Sequence, residues 1–275
     1  MNAHWERRCS AVNKTKIDWT DMSWNPVTGC LKNCRYCYAK GIAHRFGTPE
    51  NAIGEPHELD VPILRRKDSN VYPEEFEYQA NPYPFGFDPT FHKYRLVHPT
   101  LTKVPQRIFT GSMADLFGEW VPDEWIAQVY DTCNKAPEHT YLFLTKNPKR
   151  YAQLLCQGRL PYSDNYWYGV TVTDQKSLNK ALDIFALSPH GRNTFMSIEP
   201  LHEYLKLGMM ADWVIVGAET SNGKVVEERA PDRLWIESIV EDCRAAGVPL
   251  FMKRNLEEIW KEPLIQEFPT NMMKG

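Results

Sequence analysis

An α/β fold built on a parallel sheet follows from three features of the 275-residue chain. Between residues 107 and 252, short apolar runs alternate with amphipathic stretches of helical period. The apolar runs are too continuous to be half exposed, as in Tyr141-Leu142-Phe143-Leu144. Strands buried on both faces belong to parallel sheets covered by helices. Six or more such units follow one another with no internal repeat, which favours a barrel or partial barrel, with an open doubly wound sheet as the alternative.

The elements read in order as follows. Residues 38–46 form a short helix. Residues 48–105 hold nine prolines and many aromatics with little periodicity, and a structureless loop of that length points to a functional insertion or a lid. Residues 107–110 form a strand ending at Gly111-Ser112. Pro122 opens a helix with Ile126, Val129, Tyr130 and Cys133 on one face. After the strand 140–145, Asn147 as cap and Pro148 in the first turn open the helix carrying Tyr151, Leu154 and Leu155. The strand 166–172 is followed by Asp174, a cap for the helix bearing Leu178, Ala181, Leu182 and Phe185, which Ser188-Pro189 ends. Strands at 194–198 and 213–216 run into Glu199-Pro200 and Gly217-Ala218-Glu219. A helix over about 231–246 stops at Gly247, and 249–252 is the last strand. No second domain boundary is evident, so residues 1–275 read as one domain.

Apolar residues at 43% and charged residues at 24% are ordinary for a globular protein. A net charge of −3 gives no global basic footprint, so any phosphate contact must come from local clusters. Seven cysteines are an odd number without a disulfide framework. Cys9, Cys133, Cys156 and Cys243 are scattered, with Cys133 and Cys243 on apolar helical faces where a thiol packs as a small hydrophobe. Residues 1–10 lack the apolar core of a signal peptide, and no run of eighteen apolar residues occurs. A reduced cytoplasmic setting, with no membrane, is the expectation.

The remaining cysteines are concentrated. Cys30, Cys34 and Cys37 fall in a C-x3-C-x2-C spacing straight after Asn25-Pro26-Val27-Thr28-Gly29. Three thiolates on one loop can hold three corners of a [4Fe–4S] cluster and leave the fourth iron open to an amine and a carboxylate. Structural zinc with a fourth ligand such as His44 is the competing reading, but the second C-x2-4-C pair of a zinc module is missing. Redox thiols are a third. Tyr36 precedes the last cysteine, where an aromatic ring can stack on adenine.

The spacing together with Tyr36-Cys37 resembles the signature of radical S-adenosylmethionine enzymes. The strings Trp19-Thr20-Asp21-Met22-Ser23-Trp24-Asn25-Pro26, Cys34-Arg35-Tyr36-Cys37-Tyr38-Ala39, Pro89-Thr90-Phe91-His92 and Gly111-Ser112-Met113-Ala114-Asp115-Leu116-Phe117 are similar to a phage-associated branch of that superfamily. The resemblance implies a partial (β/α)6 TIM-like barrel with a long Pro/aromatic-rich insertion and the cluster loop after the first strand. It also implies S-adenosylmethionine as cofactor, cleaved by one electron to give a hydrogen-abstracting radical, with flavodoxin or ferredoxin as donor. In such barrels the reacting groups gather where strands end. Gly111, Ser112 and Asp115 then stand where the superfamily holds the methionyl amine, although paired glycines and a glutamate are usual there. Thr171 and Thr173 are candidates for the ribose or carboxylate. Glu199, Glu219, Lys146, Lys253 and Arg254 complete the mouth. Gly217-Ala218-Glu219-Thr220 resembles a glycine-rich turn of the branch, from which Ala218 and Ser221-Asn222-Gly223 depart.

For substrate, the phage-associated branch implies a modified nucleobase in viral DNA, with thymidine hypermodification by isomerising an amino-acid adduct as the reaction. Lys146, Lys149 and Arg150 with Tyr151, and His92, Lys93, Arg95, Lys103 and Arg107, are local basic runs that could track phosphates. A solvated helix start and an ordinary loop explain each run equally well. A small metabolite, a peptide, RNA or a DNA lesion as substrate, and a zinc-stabilised binding module with no activity, are the alternatives.

Overall fold

Seven parallel strands lie in one curled sheet. They are β1 (Met22–Trp24), β2 (Arg107–Thr110), β3 (Thr140–Thr145), β4 (Tyr166–Val172), β5 (Asn193–Ile198), β6 (Trp213–Val216) and β7 (Leu250–Met252), side by side in chain order. The short strand Asn13–Lys14 adds antiparallel to the outer edge of β1. This is a partial TIM-like barrel. The computed structural model describes residues 13–67, 77–187, 193–208, 211–221 and 223–272. Cys9, Ser188-Pro189 and Asn222 lie outside the described residues.

The two-residue alternation of strands sorts the barrel wall into an inner and an outer face. Ile108, Tyr141, Phe143, Tyr166, Tyr168, Met196 and Val214 point outward. There they pack with helices α2 (Asp123–Lys135), α3 (Pro148–Cys156), α4 (Gln175–Leu187) and α5 (Arg233–Ala246), through Ile126, Val129, Leu154, Leu178 and Ile239 among others. Phe109, Leu142, Trp167, Phe195, Trp213 and Phe251 point inward and, with Trp19 and Met272, fill the barrel floor. Gly169 belongs to this inner set. A Cβ there would lie 2.2 Å from the Phe195 ring, so the side chain must be absent for the aromatic floor to close. One or two steps further along the same parity, the inner positions turn polar: Thr171, Ser197, Glu199 and Lys253.

Helix α1 (Tyr38–Phe46) follows the cysteine loop with the expected boundaries. Segment 48–105 is not structureless. Its strand Thr90–His92 lies between Val27–Thr28 and His57–Leu59, and a hairpin pairs Leu64–Lys67 with Glu77–Ala80. Residues 68–76 lie outside the described set. Phe91 from this segment is fully buried and stacks on Trp125 of α2 at 5.2 Å, while Tyr83 and Phe87 pack under the cysteine loop against Ala39, Ala43 and Met113.

Smaller differences have local causes. Asn147 precedes α3, but its side chain makes no cap bond; Nδ2 instead donates to the Phe117 carbonyl at 2.9 Å. Asp174 does cap α4, accepting the Ser177 N–H at 2.7 Å. Helix α5 starts at Arg233 because Asp232 caps it, accepting from Leu234 N at 2.9 Å. Cys133 and Cys243 are buried, as their helical faces require.

Candidate active site

The cysteine loop leaves the barrel where β1 ends, and three contacts fix it. Gly29 N donates to the Met113 carbonyl at 2.9 Å, and Cys30 N to the Phe87 carbonyl at 3.0 Å. Gly29 has φ +86°, and a Cβ on it would lie 2.0 Å from the Asp88 carbonyl oxygen, so no other residue fits there. Cys37 then caps α1, its Sγ accepting from Lys40 N at 3.4 Å. Cys30 Sγ accepts from Lys32 N at 3.5 Å. Burial pushes the Cys30 thiol up to about 12 despite that N–H. A cation at the loop reverses this, because a metal-bound thiol is deprotonated.

Cys30, Cys34 and Cys37 are free, half-buried thiols that line one end of a cavity of about 480 Å³, a usual size for a cofactor or small-molecule site. Tyr36, Gly111, Ser112, Asp115, Thr171 and Glu199 line the same cavity. Thr173 does not. The chain turns at Thr173 into the α4 cap, its N–H bonding Ser177 Oγ at 2.9 Å and its hydroxyl donating to Asp174 Oδ2 at 3.4 Å.

Several lining groups have defined partners. Asp115 is buried and accepts from Phe117 N at 3.1 Å, Thr145 Oγ1 at 2.7 Å and Lys146 N at 2.9 Å, so it welds the turn after β2 to the end of β3. The Ser112 carbonyl accepts from the Tyr38 hydroxyl at 2.6 Å. The Tyr36 ring meets the His202 ring edge-on at 5.7 Å and carries Lys146 Nζ 5.6 Å from its centroid; burial raises its hydroxyl above the usual phenol range. Glu199 pairs with Lys253 across the mouth. Glu219, 4% exposed, accepts from Arg229 at 2.5 Å and from His202 Nε2 at 2.8 Å, and the Arg229 bond holds its carboxyl below the usual carboxylate range.

Several lining residues carried no sequence signal of their own. Ile17 and Asp18 reach the cavity from the lead-in to β1, where Asp18 accepts from Arg254 N at 2.9 Å and the neighbouring Trp19 packs on Phe109 at 4.8 Å. Phe87 comes from the insertion. Ser197 was within reach, being two residues before Glu199 on the same strand face. Asn25 does not line the cavity, yet its side chain holds both Ser112 Oγ at 3.1 Å and Met113 N at 2.9 Å.

Several cations of the basic runs are paired within the fold. Arg150 pairs with Asp123, and Arg107 with Asp21 at 2.6 Å. Lys93 pairs with Glu58 at 2.6 Å, and Arg95 donates to the carbonyls of Asn25 and Pro82. His92 is fully buried and bonded to Thr28 at 2.9 Å, and Tyr151 is core. These side chains look free in sequence because their acceptors lie far along the chain. No helix among the described residues is long and apolar enough to cross a membrane.

Among the described residues no three His, Cys, Asp or Glu side chains gather around a single ion position. His44 is exposed in the last turn of α1, seven residues and about 10 Å of helix rise beyond the capping Cys37. A cluster asks for a different arrangement, in which each thiolate takes its own iron. Three half-buried thiols on one cavity end, two of them receiving backbone N–H groups, fit that donor set.

A family model described as "Protein of unknown function (DUF5131)" matches residues 14–262. The chain belongs to that family. The match spans every barrel strand and the cysteine loop, so the site is part of the family's own domain. No curated protein matches. A solved structure of a mutant spore photoproduct lyase with dinucleoside spore photoproduct is similar at 10% identity and a TM-score of 0.44, over 75% of this chain. The chain spans 58% of that protein's length.

Proposed function

We propose that this DUF5131 protein is a radical S-adenosylmethionine enzyme. The observation that carries the reading is the convergence of Cys30, Cys34 and Cys37 on one end of a cavity at the C-terminal edge of a partial barrel. The three thiolates would hold a [4Fe–4S] cluster. When bound, this group supplies one-electron cleavage of S-adenosylmethionine and, with it, hydrogen abstraction from an unactivated C–H.

The chain's own residues bind, orient and exclude water. Gly111 and Ser112, braced by Asn25 and Tyr38, offer main-chain groups for the methionyl end beside the cysteines. Asp115 keeps that turn in place. Thr171, Ser197 and Glu199 offer hydroxyls and a carboxylate for the ribose. Tyr36 offers a ring to adenine. Trp19, Phe109 and Phe87 form an apolar wall that keeps water from a reactive species. Anaerobic loading with iron and sulfide, followed by dithionite and S-adenosylmethionine, should yield 5′-deoxyadenosine, and Cys37→Ala should yield none. A protein that takes up one zinc and no iron would overturn the reading.

For substrate we carry a nucleobase in DNA, modified by an isomerase-type or lyase-type step, on the similarity to the phage-associated branch, with flavodoxin or ferredoxin as donor. One observation favours a second reading, a small metabolite or peptide. Arg107 and Arg150 of the two basic runs pair with internal carboxylates, whereas the cavity suits a small molecule. Duplex-DNA binding that weakens steeply between 50 and 200 mM salt (about 10³-fold for several phosphate contacts) supports the first; salt-independent or absent binding supports the second.

A further inference from the structure

This inference rests on the cluster reading, and concerns the outside of the cysteine segment. Helix α1 buries Ala39 and Ala43. Its other side leaves Ile42 and Phe46, spaced i and i+4, 37 and 44% exposed among the described residues, while Tyr38 at its start is tied through its hydroxyl to the Ser112 carbonyl. On the loop leading into the helix, Leu31 is also exposed. An apolar stripe left open on a two-and-a-half-turn helix is unusual unless something covers it.

Charge says what kind of partner fits. Residues 22–49 contain no Asp or Glu, although the chain as a whole carries −3. Lys32, Arg35, Lys40, His44 and Arg45 fall in this stretch, and none makes an ion pair among the described residues. Lys32 and Lys40 are tied only to neutral oxygens, the Lys146 carbonyl at 2.6 Å and Asn33 Oδ1 at 2.7 Å, which leaves their charge uncompensated. The face is therefore apolar at its centre and cationic around it, the complement of an acidic protein surface. A phosphate backbone would use the cations but offers nothing to Ile42 and Phe46.

Position supplies the role. The helix begins at the residue after Cys37, whose sulfur caps it, so the exposed face lies on the helix that a proposed cluster ligand starts. We propose that the outer face of α1 and the adjoining loop form the docking surface for an acidic one-electron carrier protein. One electron leaves the reduced carrier and enters the cluster. The carrier is oxidised by one electron, the cluster is reduced by one, and no atom moves.

The test uses the reconstituted holoprotein with an acidic flavodoxin as probe, and compares wild type with Ile42→Glu/Arg45→Glu and with Arg45→Glu alone, a change at an exposed site that leaves the fold alone. Two quantities are read: the Kd for flavodoxin at low and moderate salt, and the rate at which the cluster's visible absorbance bleaches with reduced flavodoxin or with dithionite. The expected result is salt-sensitive binding, weakened about tenfold or more by the double change and less by the single one, with flavodoxin-driven bleaching slowed in step and dithionite-driven bleaching unchanged. Unchanged flavodoxin affinity in the double variant overturns the proposal, as does a loss confined to duplex-DNA binding. A wild-type protein that holds no iron fails earlier, at the cluster itself, and so separates that failure from this one.

Discussion

Asn25 Oδ1 accepts the main-chain N–H of Met113 at 2.9 Å. Together with the bond from Gly29 N to the Met113 carbonyl, it joins the exit of β1, which leads into the cysteine loop, to the turn after β2 that lines the same cavity. The amide also holds Ser112 Oγ. Asn25→Ala leaves two half-buried polar groups without their partner and should cost about 1–2 kcal/mol, read as a lower urea midpoint with an unchanged m-value. S-adenosylmethionine affinity should fall in the same variant. Wild-type values for both would show that the turn is held by other contacts.

Each of Cys30→Ala, Cys34→Ala and Cys37→Ala should lower bound iron from about four per chain to near zero after anaerobic reconstitution. Iron and sulfide assays with the visible absorbance read this directly. Cys133→Ala and Cys243→Ala, in contrast, remove core sulfurs and should lower stability while leaving iron content alone. A Cys34→Ala protein that keeps its full complement would break the site reading.

The barrel floor offers a stability probe independent of the chemistry. Gly169→Ala would place a methyl 2.2 Å from the Phe195 ring, which is fully buried and cannot swing out. Overpacking of this kind should cost about 1–3 kcal/mol. A clear drop in Tm, partly restored by Phe195→Leu in the same chain, is the expected outcome; additive losses would place the strain elsewhere.

Glu219 sets a pH dependence. Its folded carboxyl is held below 4.5, first by the Arg229 bond. A lowered acid contributes stability that is present above about pH 4.5 and is lost as pH falls through the folded value. Stability measured from pH 6 down to pH 3 should therefore fall less steeply in Glu219→Gln than in wild type. An identical slope in the two proteins would mean that the Arg229 and His202 contacts do not persist in solution.

Much of this protein was legible in its sequence, and the legible part is periodic or local. Buried parallel strands announce themselves as unbroken apolar runs, so Arg107–Thr110, Thr140–Thr145, Tyr166–Val172 and Trp213–Val216 match their expected bounds to the residue. The cysteine spacing is equally local, because three thiols seven residues apart must share one loop. Strand parity carried further than expected, since Thr171, Ser197 and Glu199 line one cavity by virtue of inward-facing register alone.

What the tertiary structure decided is which distant groups meet. Met22–Trp24 is too short to show a period, yet it is the strand that delivers the cysteines. Thr173 shares the parity of Thr171 but lies past the strand end, where its N–H and hydroxyl are taken up by Ser177 and Asp174 of the α4 cap. Arg107 and Arg150 look free until Asp21 and Asp123 arrive beside them, and Trp19 becomes a cavity wall only when the sheet curls beneath it. Periodicity fixes which face of an element a side chain occupies, because that depends only on its neighbours along the chain. Partner choice across the barrel depends on how all seven strands close together, and that is a property of packing in three dimensions.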